Sequence, residues 1–194
     1  QKSEAGIQTP TDNRQPITDN SRPQAIAQPL REAGMDRGYA LVVGDPNGEW
    51  ALKLVQSTAL RVVSVLPDPT AVDALRKKLL AATDWYGSRI HILVVPQGAK
   101  LPFAQFFANA VIVAGDAGTV PASELYRILR PCGGLLLAPG LKPAPAGAWL
   151  KSCGAPAAEL KLADDPPHIV RGRLPGALDW DSAYDSDRYL KGPV

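Results

Sequence analysis

The sequence predicts an α/β domain: a doubly wound, mostly parallel sheet that ends in an antiparallel edge hairpin. Three observations carry that expectation. From Tyr39 onward, short apolar runs alternate with amphipathic helical stretches, the rhythm of strands joined by right-handed helical crossovers. The first run breaks into the glycine-bounded turn Gly44-Asp45-Pro46-Asn47-Gly48 and then into a helix. After Gly140 the rhythm changes to two short strands around Asp164-Asp165-Pro166-Pro167, the pattern of an antiparallel hairpin.

Residues 1–37 are rich in Gln, Pro, Asn, Ser and Thr and have no sustained apolar period. Such a segment buries too little surface to offset its chain entropy, so it reads as a linker or disordered tail, with a helical turn at Leu30 to Met35 leading into a domain spanning 38–173. The first strand covers Tyr39 to Val43 and the first helix Glu49 to Thr58. Glycine suits the bend between them because the backbone can turn sharply and approach a ligand closely, while the helix aims unpaired N–H groups at the same place. Arg61 to Leu66 is a β-branched buried strand, closed by Pro67-Asp68-Pro69. A helix from Thr70 sets Val72, Leu75, Leu79 and Leu80 on one face. Arg89 to Val95 is a third strand and Asn109 to Ala114 a fourth. A helix over Ser123 to Leu129 turns at Pro131-Cys132-Gly133-Gly134 into the strand Leu135 to Ala138. Ala146 to Ser152 is one more helix, and Ala158 to Leu162 and His168 to Arg173 form the hairpin.

With 194 residues the chain suits one domain plus tails. The net charge of +2 is close to balance, and Arg76-Lys77-Lys78 lies on a helix as a solvated face, so there is no nucleic-acid footprint. No apolar run reaches the length of a membrane span. Cys132 and Cys153 have no metal-ligand spacing, and His91 and His168 add no cluster, so no metal site is expected. The cysteines read as free thiols in preference to a disulfide.

Residues from about Tyr39 to Arg173 resemble a class I S-adenosylmethionine-dependent methyltransferase domain, with its Rossmann-like sheet. The resemblance lies in Gly44 to Gly48, in the acidic turn after the second strand and in the segment Tyr86 to Ile90 before the third. It also lies in Leu101 to Phe103 and in Glu124 to Gly134, whose leucine-arginine-proline-glycine turn is its most specific part. It implies S-adenosylmethionine as cofactor. Gly44, Asp45, Asn47 and Gly48 would line its methionine end, Leu66 and Asp68 would sit near the ribose, and Gln97 and Gly98 near the adenine.

The residues depart from the family pattern at three of these places, the mildest being Gln97, whose carbonyl can still accept where the family often has an acid near the adenine. Pro46 stands where the family has its middle glycine and removes an N–H. Leu66 stands where the family has an acid to accept from the ribose hydroxyls. Each unpaired ligand group costs about 1–3 kcal/mol, and two amount to roughly a hundredfold in affinity. Cofactor binding is therefore expected to be weakened or lost. Asp116, in the turn Ala114 to Gly118, is the one candidate base, and a solvated turn aspartate is the simpler reading. Ser57 and Ser88 lack partners for a hydrolase triad.

Arg171 to Tyr184 resembles the lead-in to a β-propeller of the pyrroloquinoline-quinone-binding-like repeat class. That resemblance implies a propeller domain as partner, residues 174–194 as tail or lead-in, a larger parent architecture and an extracytoplasmic or periplasmic location. Three functions are compared: a silent scaffold or docking module for a propeller, an active small-molecule methyltransferase, and a dinucleotide-binding domain. The spacing of Gly44, Gly48 and Asp68 fits the last poorly. The first is expected, with the active enzyme as the alternative.

Overall fold

The computed structural model describes residues 26, 30–141, 143–164 and 166–177. Among the described residues seven strands form one sheet in the order β3-β2-β1-β4-β5-β7-β6. The parallel strands are β1 (Arg37–Val43), β2 (Ala59–Leu66), β3 (Ile90–Val94), β4 (Ala110–Val113) and β5 (Leu135–Leu137). β7 (His168–Val170) runs antiparallel to β5, and β6 (Leu160–Lys161) antiparallel to β7. The helices are α1 (Glu49–Ser57), α2 (Pro69–Ala82), α3 (Ala122–Ile128) and α4 (Pro143–Lys151). The expected sheet, with its parallel body and antiparallel edge hairpin, is the one observed.

Period-two alternation divides the core between the two faces of the sheet. Ala40, Val42, Leu60, Val62, Ile90 and Ile112 meet Leu54 of α1 and Val72, Leu75 and Leu79 of α2. Leu41, Val43, Val63, Val65 and Val111 meet Leu125 and Ile128 of α3 and Leu150 of α4. The helical face expected on α2 is narrower than its sequence pattern, because Leu80 lies 65% exposed while Leu75 and Leu79 are buried. The step from 79 to 80 turns the helix by about 100°, carrying Leu80 off the core stripe.

The core also reaches ahead of residue 38. Ile26, Leu30 and Met35 are buried in the α1–α2 layer, Met35 N–H donates to Leu30 O at 2.6 Å, and β1 begins at Arg37. Both cysteines are free thiols, Cys153 buried and Cys132 exposed, whereas both were expected to be at least half-buried. His91 is exposed on β3, an edge strand. Among the described residues no helix is long and apolar enough to cross a membrane, and no group of His, Cys, Asp and Glu could hold a metal. Asp165 and residues 178–194, which include Trp180 and Tyr184 of the propeller-like segment, lie outside the described residues, as does nearly all of residues 1–29.

Candidate functional site

The strand order reverses between β1 and β4, and the carboxyl ends of the parallel strands there form the ligand crevice of open α/β sheets. The loops after β1, β2, β3 and β4 carry the expected cofactor positions and Asp116, except Leu66, which ends β2 itself.

The turn after β1 is built by its own backbone. Gly44 adopts φ 73°, and a Cβ there would lie 2.9 Å from the Asp116 amide nitrogen, so glycine is required by contact with the β4 loop. Gly48 N–H donates to Asp45 O at 3.2 Å, closing a turn in which Pro46 takes the second position. Proline fits that position through its fixed φ and needs no N–H there. Gly48 also has φ 73°, and a Cβ would meet Leu75 Cδ1 at 2.9 Å. Its smallness therefore admits α2, whereas the sequence reading had it admitting a ligand. Asn47 is exposed, and its carbonyl accepts from Lys78 Nζ at 2.9 Å.

Asp45 is the residue whose placement matters most. It was expected to line the methionine end of a cofactor. Instead it is 3% exposed, and its carboxylate accepts the Ala51 N–H at 3.0 Å, with the Trp50 and Glu49 amides also directed at it. These are the first-turn donors of α1, whose N-cap Gly48 has no side chain to hold them. Burial pushes the Asp45 carboxyl above the usual carboxylate range, the amide donations opposing that rise and the neighbouring Glu49 charge adding to it.

Leu66, expected beside a ribose, is 4% exposed and packs in the α1–α2 core layer. An aspartate there would meet apolar core. Asp68 is exposed and caps α2, accepting the Thr70 N–H at 2.9 Å. Gln97 and Gly98 are exposed after β3. Gly98 N–H donates to Thr119 O at 3.0 Å, which ties the expected adenine-side loop to the β4 loop. Asp116 is exposed and accepts the Gly118 N–H at 2.8 Å, capping a short 3-10 turn at Ala117–Thr119.

Sequence reasoning missed the clamps beneath this surface. Arg127 reaches Glu124 Oε2 at 2.9 Å, Phe103 O at 3.0 Å and Leu101 O at 3.2 Å, while Glu124 also accepts the Leu101 N–H at 3.2 Å. The Arg127 guanidinium holds the Glu124 carboxyl below its ordinary range. Arg171 stacks over Phe106 and Tyr126, 4.8 and 4.3 Å from the ring centroids, and donates to Tyr126 O and Leu129 O at 2.6 Å each. The Glu–Arg spacing of three within one helix was the legible signal for the first clamp. Nothing local announces the second, whose partners lie 42 and 45 residues away.

No protein-family model matches the sequence, and no curated protein matches it. Solved structures do resemble the fold. A Galdieria sulphuraria protein assigned as a sarcosine dimethylglycine methyltransferase aligns at 14% identity and TM-score 0.55, over 69% of this chain and 61% of its own. One from Methanococcus maripaludis, assigned as an S-adenosylmethionine-dependent methyltransferase, aligns at 13% identity and TM-score 0.54, over 88% of this chain and 100% of its own. A SAM-dependent methyltransferase from Aquifex aeolicus aligns at 14% identity and TM-score 0.52, over 78% and 96%. This chain thus spans less than two thirds of the Galdieria protein and nearly all of the other two. At these identities the likeness defines the fold, a class I methyltransferase-like domain.

Proposed function

We propose that this domain is a methyltransferase-like scaffold or docking module whose affinity for S-adenosylmethionine is weakened or lost. One observation carries the reading. The three aspartates at the carboxyl ends of β1, β2 and β4 each accept a backbone N–H of this chain, at 3.0, 2.9 and 2.8 Å. A cofactor in this crevice needs acceptors for its sugar hydroxyls and ammonium, and donors for its carboxylate and base. Asp45 is buried against its donors, and the exposed Asp68 and Asp116 are oriented by the N–H each one caps. The Ala51 donor is held by Asp45, and the Gly98 donor by Thr119. A propeller in the same or a larger polypeptide, and with it an extracytoplasmic setting, rests on the Arg171 to Tyr184 resemblance alone.

Calorimetric titration with S-adenosylmethionine and S-adenosylhomocysteine tests this. The expected result is no saturable heat in the micromolar range. Micromolar binding would overturn this reading, and methyl transfer to a small molecule in addition would be needed for the alternative, an active small-molecule methyltransferase.

A further inference from the structure

A crossover between parallel strands usually lays a helix on the face it passes, and the one from β3 to β4 does not. Residues 95–109, which make that connection, contain no helix. The face that carries α3 and α4 is left open toward the amino ends of β1, β2 and β3. Tyr39 is 37% exposed there, and Arg61 and His91 are exposed. Strand alternation sets these three on the same face as Leu41, Val63 and Leu93. The register puts Tyr39 beside Arg61 and His91 beside Val63, and Arg61 reaches the Tyr39 hydroxyl at 3.4 Å. An aromatic row continues the patch: the Tyr39 ring lies 4.8 Å from Phe107, which stacks on Phe103 at 4.6 Å. Arg37, also exposed, stands two positions ahead of Tyr39. Neither these three strands nor residues 95–109 contain a single Asp or Glu. The patch is therefore aromatic, basic and without a counter-charge of its own.

The sequence after the last strand supplies what the patch lacks. β7 runs antiparallel to β5, so the chain leaves it at the amino ends of the parallel strands. Arg171 lies there over the ring of Phe106, the neighbour of Phe107. Trp180 follows within roughly 30 Å of extended chain. Residues 179–187 set Trp180 and Tyr184 among Asp179, Asp181, Asp185 and Asp187, with no base before Arg188. We propose that residues 178–194 dock on this open face, their aromatic rings against the Tyr39–Phe107–Phe103 row and their aspartates toward Arg37 and Arg61. A second copy fits the face poorly, because a two-fold contact would set the same cations of two molecules together. The tethered segment meets the face at an effective concentration of millimolar order. The inference gives the docking half of the proposed function a surface and an occupant, and rests on that half alone, since the patch lies away from the carboxyl-end crevice.

The test is nuclear magnetic resonance of the full chain, with every aromatic substitution placed in the segment so that the core is untouched. In the double variant Trp180→Ser and Tyr184→Ser, amide shifts should change at Tyr39, Arg61, His91, Phe103 and Phe107, and not along α2 on the opposite face. Changes confined to residues 178–194, or scattered over the whole domain, would overturn the proposal. The reciprocal experiment follows the Trp180 indole N–H. It should move to its unstructured position in Arg61→Glu, where the face turns acidic, and stay in place in Lys77→Glu, an equal charge reversal on the exposed side of α2. An indole signal that ignores both variants, or answers them alike, would count against the face.

Dilution of the wild type distinguishes the occupants without any variant. Indole and amide shifts that hold steady on tenfold dilution belong to a segment docked on its own molecule. Shifts that relax toward unstructured values on dilution would mean a second copy and overturn the assignment. None of these measurements uses S-adenosylmethionine. Cofactor binding by the wild type would refute the silent crevice, while the spectra alone decide what the open face holds.

Discussion

Asp45 shows how one side chain sets the sign of a pH effect. Its folded carboxyl is raised above the ordinary value of 3.8, so the folded state holds that proton more tightly than the unfolded chain does. Its contribution to stability is greatest below the ordinary carboxylate range and is lost as pH rises through the raised folded value. Asp45→Asn keeps an acceptor for Ala51 without a charge. The variant should therefore exceed the wild type in stability at neutral pH and converge with it in acid. Urea unfolding at a series of pH values measures the difference, and a variant no more stable at neutral pH than in acid, relative to wild type, would contradict the assignment. Glu124 titrates in the opposite sense, but it does so in both proteins and drops out of the comparison. Asp68 and Asp116 teach the complementary lesson: exposed at the crevice, they resemble candidate hooks until their cap bonds are seen.

Among the elements, the segment that most marks the sequence is held by charge-assisted hydrogen bonds to backbone. Glu124 and Arg127 on α3 together bind the Leu101–Phe103 stretch, so two motifs far apart in sequence are two sides of one joint. Arg89 does the same at the end of α1, donating to Val55 O at 2.8 Å and to Thr58 O at 2.7 Å, with cationic charge at a helix C-terminus. Lysine cannot reproduce such a fork, because its ammonium is a single point with three donors. Arg127→Lys should accordingly cost about 1–3 kcal/mol in urea unfolding, despite conserving charge. The Glu124 contribution is present above the ordinary carboxylate range and lost as pH falls through the lowered folded value. In the lysine variant that acid limb should be shallower. An unchanged limb would mean that Arg127 does not set the Glu124 carboxyl.

For the molecule as a whole, the decisive departure from the sequence reading lies at the amino-terminal side. Three apolar side chains ahead of residue 38, Ile26, Leu30 and Met35, are part of the core. At about 1.5–3 kcal/mol for each buried side chain, removing them costs on the order of 5 kcal/mol or more. That rivals the entire stability of an ordinary domain. A chain beginning at residue 38 should be unfolded or marginal by circular dichroism and urea titration, and full stability after that truncation would exclude a core role for these residues. Composition hid them, since three apolar residues spread over ten positions among Gln, Pro and Arg make no period of their own.

The sequence by itself determined the order and type of the elements, the parallel body of the sheet and its antiparallel hairpin. Those follow from apolar periodicity and turn chemistry, which act over a few neighbouring residues. Only the tertiary structure decided which way the chemistry-bearing groups face. Asp45 turns inward because α1 presents it with unheld amides, Gly48 is small because Leu75 comes down on it from α2, and Leu66 joins the core beneath that same helix. A carboxylate's role depends on the nearest donor in space, and no local pattern in the chain records where that donor will be.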